Sequence, residues 1–176
     1  MVLLLTLSIV FVASLIYGSF FEWALHRFVM HRPFLFLHYP FRSHGVTHHG
    51  TFGSGRDYHL LEEKNRHLVT MAWWNAPVLL LVNSPAALAA VWLSGTWWAA
   101  AAFMAALGFY YGLYEYIHWC MHVPGPRWFQ RTRVFRWVDQ HHRLHHLKPG
   151  TNLNVVFPVA DFLLRTRLSR APIETN

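Results

Sequence analysis

The stretch VLLLTLSIVFVASLIYGSFFEWALHRF, residues 2–28, decides how this chain is expected to fold. About twenty residues precede its first charged side chain, Glu22, and a helix of that length crosses a bilayer hydrocarbon core about 30 Å thick. No basic residue precedes the stretch, and its apolar run is longer than that of a secretory signal peptide. The sequence therefore predicts a transmembrane helix over about residues 2–25.

Two further apolar stretches, residues 68–94 and 97–119, predict two more spans. Tryptophans near both ends of the second stretch have the spacing of an aromatic belt, which places the turn between the two spans at residues 94–96. A turn at residues 83–85 stays open, because Pro85 could lie at the start of a new helix. We therefore expect an all-α, integral-membrane helical bundle with three to four spans.

The distribution of charge predicts the orientation of this bundle. All fifteen Lys and Arg residues lie in residues 26–67 and 120–176, and three spans would put these two segments on the same side of the membrane. Membrane-flanking segments rich in Lys and Arg stay in the cytoplasm. The same two segments carry the histidines described below. We therefore expect a cytoplasmic, histidine-rich helical cap on a single membrane-embedded domain that covers residues 1–176.

Composition excludes several other classes of protein. Only 13% of the residues are charged, against roughly a quarter in soluble domains. The net charge of +7 comes from basic residues that are interleaved with long apolar runs, which favours a lipid surface over nucleic acid as the partner. The chain has one cysteine, Cys120, so an intramolecular disulfide and a thiolate-rich metal site are both excluded.

Fourteen histidines need an explanation, and ten of them fall into four boxes near the predicted membrane exits. Residues three or four apart share one face of an α-helix, so three of the boxes direct paired imidazoles to one side. The first box has a spacing of five, which diverges on an α-helix and suits a helix end. In chain order the boxes are His26 and His31; His44, His48 and His49; His118 and His122; and His142, His145 and His146.

Ten imidazoles packed together would be costly to bury without a compensating partner. Neutral imidazole is a common ligand for iron, zinc and copper, and ten ligands suit two ions with about five each. A ligating histidine usually gives its other N–H to a carboxylate or a carbonyl. Neighbouring side chains that could support the ligands in this way are Glu22, Glu115, His141 and Asp161; His141 could also replace His142 as a ligand.

Five motifs run through nearly the whole chain in a distinctive order. They are EWALHRFVMH (22–31), HGVTHHGTF (44–52), YEYIHWCMH (114–122), HHRLHH (141–146) and NLNVVFPVADFLLRT (152–166). Together they resemble the fatty acid hydroxylase / sterol desaturase superfamily of integral-membrane, non-haem di-metal enzymes, which also includes small carotenoid hydroxylases. The resemblance implies that the ten histidines of the boxes bind two iron ions, with zinc as a replacement in a purified sample.

The resemblance also implies an activity. It is the O2-dependent hydroxylation or desaturation of an unactivated C–H bond in a membrane lipid. The electrons would come from an external donor such as a cytochrome b5-like protein or a ferredoxin with its reductase. Carotenoid hydroxylases tend to have H-x4-H in the third box, whereas this chain has H-x3-H. This difference favours a fatty acyl or sphingolipid chain as the substrate, and a carotenoid or a sterol stays open.

Two departures from the superfamily pattern bear on individual residues. The second box reads H-x-x-x-H-H where relatives usually have H-x-x-H-H, so His44 is the ligand that the resemblance supports least. The tail motif ends in Leu164-Arg165-Thr166 where relatives often have Phe-Gly-Thr. A different class, a non-catalytic haem- or metal-binding membrane protein, also stays open. Against it, the apolar cores of the predicted spans contain no histidine.

Overall fold

A computed structural model describes residues 1–171 of the chain. This part of the chain is built from helices and loops and contains no β-strand, so the predicted all-α class is confirmed. One isolated β-bridge joins Phe34 and Leu37. The last five residues of the predicted 120–176 segment lie outside the described residues.

The helices follow one another along the chain with short connections. The α-helices are α1 (Val2–Leu25), α2 (His38–Pro40), α3 (His49–Thr51), α4 (Asn75–Val82), α5 (Ser84–Ser94), α6 (Trp98–His122), α7 (Arg133–Leu147) and α8 (Val159–Leu163). Within residues 1–171, two segments are π-helical, His26–Met30 and Phe41–His48, and three are 3-10 turns, Arg56–Tyr58, Glu63–Leu68 and Trp128–Arg131.

One helix is long and apolar enough to cross a membrane. It joins α1 to the π-helical segment that follows, and it runs for 29 residues over Val2–Met30. Helices α4 and α5 meet at a 43° bend, and they pass the same test of length and composition if they are counted as one broken span. Residues 1–171 therefore contain one such helix or at most two. The prediction of three to four spans is not confirmed, and the cytoplasmic side stays a prediction.

Both turns considered for the second and third predicted spans are present. α5 ends at Gly95, whose φ of 70° lies in the left-handed region that glycine adopts without a steric penalty. The alternative turn, at residues 83–85, is the bend between α4 and α5. Pro85 is tolerated there because it lies in the first turn of α5, where a missing N–H leaves no helical hydrogen bond unmade.

The chain divides into two compact units, and the first comprises residues 1–18 and 71–115. Its buried apolar cluster includes Phe103, whose ring also contacts Tyr17 at 5.4 Å. The Tyr17 hydroxyl donates to Asn83 Oδ1 over 2.7 Å. This bond satisfies the amide oxygen of a buried asparagine at the bend between α4 and α5.

The second unit comprises residues 19–70 and the chain from residue 116 onward, and it holds all four histidine boxes. It also contains α7, which begins where the Thr132 side chain accepts a hydrogen bond from the backbone N–H of Phe135. α7 is amphipathic, with arginines on its exposed side and apolar residues and histidines on its buried side. The histidines of its buried side are His141, His142, His145 and His146.

Candidate metal centre

The structure brings all ten predicted ligands together in two groups of five. Within each group, one ring nitrogen of every imidazole lies within 4.8 Å of one ring nitrogen of each other member, so either group could hold a metal ion. Within the described chain, neither group includes a carboxylate or a thiolate. The first group is His26, His31, His44, His49 and His145, and the second group is His48, His118, His122, His142 and His146.

The first group contains a pair of histidines that a π-helical turn aligns. The backbone N–H of His31 donates to the carbonyl of His26 over 3.1 Å, which is an i→i+5 hydrogen bond. Residues five apart stack in such a turn, whereas on an α-helix they diverge by about 140°. The two rings are stacked, with centroids 5.0 Å apart. The expectation that this pair diverges is therefore wrong, because it assumed α-helical geometry.

His44 and His49 have the same spacing of five in the second π-helical segment, but their rings meet edge to face, with centroids 4.8 Å apart. The backbone N–H of His49 reaches the His44 carbonyl, and the two Nε2 atoms are 3.2 Å apart. The wider turn accommodates the extra residue by which this box departs from the superfamily pattern. His44 is thus placed in the first group, and its role as a ligand stays a prediction.

The second group contains two pairs of histidines four residues apart. His118 and His122 lie on α6 with ring centroids 4.8 Å apart, and His142 and His146 lie on α7 with centroids 4.6 Å apart. These pairs have the ordinary α-helical spacing that the sequence predicts. The two groups therefore obtain their pairs from two different kinds of helix.

One histidine from each three-histidine box belongs to the other group. His48 belongs to the second group, unlike the other two histidines of the second box. Its ring lies 4.9 Å from the rings of His118 and His122. His145 belongs to the first group, unlike the other two histidines of the fourth box. Its Nε2 lies 3.1 Å from the Nε2 atoms of His31 and His49. Each group therefore depends on both the N-terminal and the C-terminal boxes.

The two π-helical segments approach each other closely at Gly45. A Cβ atom at this position would lie 2.6 Å from the Met30 carbonyl oxygen, a backbone atom that cannot move aside on its own. Only glycine fits this contact without displacing the backbone. By contrast, a Cβ atom on Gly50 would meet nothing within 4 Å. The glycine inside the H-x-x-x-H-H box is therefore part of how the first group is assembled.

Backbone carbonyl oxygens orient five of the ten imidazoles. A carbonyl oxygen only accepts, so each of these rings donates from Nδ1, and a neutral ring then has its lone pair on Nε2. Sequence reasoning missed these partners, because a backbone carbonyl has no residue signature. The pairs are His26 with Leu153 (2.5 Å), His48 with Leu68 (3.0 Å), His122 with Tyr58 (2.6 Å), His145 with Thr151 (2.8 Å) and His146 with Phe52 (2.5 Å).

The second group fits a bound cation better than a hydrogen-bonded cluster. The Nε2 of His142 lies 3.2 Å from that of His122 and 3.0 Å from that of His146, and both of these neighbours present lone pairs. A single hydrogen on His142 cannot satisfy both of them. The Nε2 of His48 is buried and has no hydrogen-bond partner among residues 1–171. An ion held by these lone pairs would compensate atoms whose burial is otherwise costly.

The spacing and chemistry of the nitrogens also fit a transition metal. Close Nε2 neighbours are 2.8 Å apart for His26 and His44 and 3.2 Å apart for His122 and His142. Two nitrogens at right angles around an ion, with bonds of about 2.1 Å, would lie about 3.0 Å apart. Imidazole ligands suit iron, zinc, copper and nickel rather than magnesium or calcium. The histidine groups could therefore hold metal ions of this class.

Burial keeps these imidazoles in the neutral form that binds metals. It lowers the pKa of His31 and of His48 to about 4, and that of His145 to about 3. Burial is also the largest cause that lowers the pKa of His49 and His146, and neighbouring imidazoles lower it further. At neutral pH each of these rings therefore keeps one nitrogen with a free lone pair.

Asp161, one of the predicted supporting residues, acts through the backbone. Its carboxylate accepts the N–H groups of Leu153 and Asn154 over 3.0 and 2.8 Å, and the Leu153 carbonyl in turn orients His26. Asp161 Oδ2 also lies 3.1 Å from Nε2 of His141, so this histidine lies outside both groups. Burial alone would raise the pKa of Asp161, but these hydrogen bonds outweigh it and the pKa is lowered.

Glu22 and Glu115 were the other predicted supporting carboxylates. Glu22 accepts from the Asn154 side chain over 2.9 Å and from the backbone N–H of Val155 over 2.7 Å, so it holds the same segment as Asp161. Glu115 belongs to the first unit, where it accepts from the backbone N–H of Met71 over 3.2 Å. A role for Glu115 in supporting a ligand stays a prediction.

Tyr58 is a buried residue beside the second group that sequence reasoning missed. Its ring centroid lies 4.8 Å from that of His122, and its hydroxyl donates to Asp139 Oδ1 over 2.9 Å. The Arg143 guanidinium lies over the same ring at 4.5 Å. Burial and the Asp139 carboxylate raise the pKa of Tyr58 well above its ordinary value. No sequence pattern marks this tyrosine, because its partners are distant along the chain.

Comparison of the chain with protein-family profiles, with curated proteins and with solved structures finds no match. The superfamily resemblance therefore stays a prediction, and function has to be argued from the two histidine groups.

Proposed function

We propose that the protein is an integral-membrane di-metal oxidoreductase that uses O2 to hydroxylate or desaturate an unactivated C–H bond of a lipid. The observation that carries this proposal is the pair of adjacent groups, each with five buried or half-buried imidazoles. The preferred substrate is a fatty acyl or sphingolipid chain, as the resemblance implies. A carotenoid or a sterol is the alternative within the same superfamily.

The closeness of the two groups supports a single two-metal site. The rings of His49 and His146, which belong to different groups, have centroids 4.2 Å apart, and those of His44 and His48 are 5.1 Å apart. Because His48 and His145 belong to different groups from the other histidines of their boxes, the second and fourth boxes each supply both groups. Two ions held this close could act on one substrate together.

The ligand set supports redox chemistry rather than hydrolysis. A hydrolytic metal site needs a base close to the bound water, and a carboxylate commonly serves. Within residues 1–171 neither group contains one. Two iron ions bound here, reduced by an external electron donor, would supply the O2 activation that removes hydrogen from an unactivated C–H bond.

The residues of the chain contribute position and exclusion of water. Backbone carbonyls hold five imidazoles with Nε2 directed inward, so the ligands are oriented before any ion binds. All five members of the second group are buried, whereas His31 and His49 of the first group are only half-buried. The substrate would therefore approach the first group, and the second group would stay shielded from water.

The membrane location is part of the proposal. The helix Val2–Met30 is long and apolar enough to be one span. We propose that the bent pair of α4 and α5 and the following helix α6 are the others, with the histidines on the cytoplasmic side, because every Lys and Arg flanks that side. Exposed arginines such as Arg133 and Arg136 would meet anionic headgroups, or an acidic electron-transfer protein.

A non-catalytic metal-binding protein is the competing class. Haem is disfavoured within it, because a haem iron takes at most two imidazoles, one on each face of the porphyrin. Each group instead gathers five imidazole nitrogens within 4.8 Å of one another. A simple metal carrier would bind ions in the same groups but would change no lipid. Product analysis therefore separates the two functions.

The test measures metal content and lipid products together. Purified protein should contain about two ions per chain, and cells that express it should gain lipids heavier by one oxygen atom or lighter by two hydrogen atoms. His122→Ala should abolish the product, and His67→Ala, at an exposed histidine outside both groups, should not. A metal content near zero would contradict the site, and unchanged lipids with two bound ions would favour the carrier.

A further inference from the structure

The loop between the first two histidine boxes exposes an unusual apolar surface. Leu35 is 70% exposed and Phe36 is 82% exposed, and the neighbouring Phe34, Leu37 and Tyr39 are exposed as well. Water-exposed surfaces rarely carry contiguous apolar patches, and such patches mark sites of contact with a partner. We call residues 32–42 the apolar tongue.

The backbone at the tip of the tongue argues that the leucine is there for an outside partner. Leu35 has a φ of +47°, and the turn is closed by a hydrogen bond from the Leu37 N–H to the Phe34 carbonyl over 2.8 Å. Glycine or asparagine is favoured at such a position, because a larger side chain is strained there. Neither backbone preference nor internal packing explains a leucine at this exposed position. An apolar partner outside the chain would explain it.

The position of the tongue identifies that partner as lipid. The candidate span ends at Met30, so Phe34 can lie no more than about 14 Å further along the chain. Exposed Arg32 and Arg42 flank the apolar tip, and residues 23–56 contain no Asp or Glu. Apolar tips with basic flanks suit the acyl region and the anionic headgroups of a bilayer.

The tongue also adjoins the more open of the two histidine groups. His31, the residue just before the tongue, is half-buried, and so is His49, whereas every member of the second group is buried. We propose that the tongue inserts into the lipid leaflet and directs acyl chains to the first group. The insertion is independent of catalysis, and the direction of acyl chains rests on the proposed function.

Depth-dependent fluorescence tests the insertion. Phe36→Cys protein is labelled with an environment-sensitive nitrobenzoxadiazole dye and placed in nanodiscs of phosphatidylcholine and phosphatidylserine. Native Cys120 is buried, so the unsubstituted protein is the labelling control. We expect a blue shift, a severalfold rise in intensity, and quenching by lipids with brominated acyl chains. A label at Gly150→Cys, where a side chain would meet nothing within 4 Å, should show none of these changes.

The possible outcomes separate this inference from the proposed function. The label at residue 36 could be water-exposed in protein that resists alkaline extraction and keeps its metal. This result would overturn the insertion of the tongue into lipid, and the proposed function would stand. Quenching of the label by lipid in protein that contains no metal would support the insertion of the tongue and contradict the proposed oxidoreductase function. A blue-shifted label that brominated lipids do not quench would mean that protein covers the tip, which overturns the assignment to lipid.

A matched variant tests the role in substrate access. Leu35→Asn combined with Phe36→Asn removes the apolar tip, while asparagine suits the left-handed turn, so the loop should keep its fold. We expect unchanged metal content, loss of lipid quenching for a dye at Leu37→Cys, and a severalfold loss of lipid product. Undiminished product after the tip has left the lipid would overturn the role in access.

Discussion

The two histidine groups use the same ligand but are built and sealed differently. The first group takes its pairs, His26 with His31 and His44 with His49, from π-helical turns with a spacing of five. The second group takes its pairs from the α-helices α6 and α7 with a spacing of four. All members of the second group are buried, while two members of the first are half-buried.

The two kinds of helix give the two groups a different rigidity and a different access to solvent. Long α-helices with ordinary spacing give the second group a continuous hydrogen-bonded frame. π-helical turns are uncommon and occur frequently at functional sites. Here they align ligands at the less buried edge, next to the apolar tongue. We therefore infer that the second group anchors the centre and that the first group receives the substrate.

The largest effect is expected from removing two predicted ligands at once. The choice of ligands also tests whether the histidines divide into the two groups described above. His48→Ala with His142→Ala removes two ligands from the second group, and His48→Ala with His145→Ala removes one from each. Both double variants should lose the product. In a chelator titration the first variant should keep about one ion per chain with wild-type resistance, whereas the second should lose both ions more readily.

The variants share His48→Ala, so the second substitution alone decides the difference between them. If the fourth box served one ion as a unit, His142→Ala and His145→Ala would weaken the same ion and the two titrations would coincide. Identical titration curves would therefore contradict the assignment of His142 and His145 to different groups.

A smaller effect is expected from Gly45→Ala, which probes the contact between the π-helical segments. The added methyl would lie 2.6 Å from the Met30 carbonyl oxygen, and relief of such a clash costs about 2 kcal/mol of stability. Thermal unfolding in detergent should show a lower midpoint, and the first group should lose metal more easily than the second. Gly50→Ala, in open space a few residues away, is the control and should change stability by less than about 0.5 kcal/mol.

A further effect, on metal affinity, is expected from Asp161→Asn, which alters the backbone support of the first group. The change replaces a carboxylate oxygen that receives the N–H of Leu153 or Asn154, so the carbonyl that orients His26 should become less fixed. Loss of such support lowers metal affinity by about tenfold to a hundredfold. A competition titration should show this loss mainly in the first group, and Asp57→Asn, at an exposed carboxylate, should leave both affinities unchanged.

Helix content and the set of histidines could be predicted from the sequence, because both are local properties. The apolar run of residues 2–25 corresponds to α1, and the spacing of four in HWCMH matches the pairing on α6. Asp161 could also be chosen as a supporting residue. The turn between the second and third predicted spans was harder, since Gly95 and Pro85 both mark real interruptions.

The π-helical turns could not be predicted from spacing alone. A separation of five predicts divergence when α-helical geometry is assumed, whereas the π-helical turn stacks the two rings. The first box does lie at a helix end, as its spacing suggests, because the helix Val2–Met30 ends just before His31. Gly45 permits the close backbone contact, but its role becomes visible only beside Met30, which lies in another box. The number of membrane spans is likewise underdetermined by length and composition.

The sequence alone shows which residues can bind metal, since ligand chemistry belongs to each side chain. It also determined the helical class, since apolar runs and spacing act locally. Which five histidines share a group depends on the tertiary structure, because His48 and His145 each belong to a different group from the other histidines of their box. The tertiary structure also fixes which nitrogen five of the rings present, since most of the carbonyls that accept from their Nδ1 atoms come from distant segments.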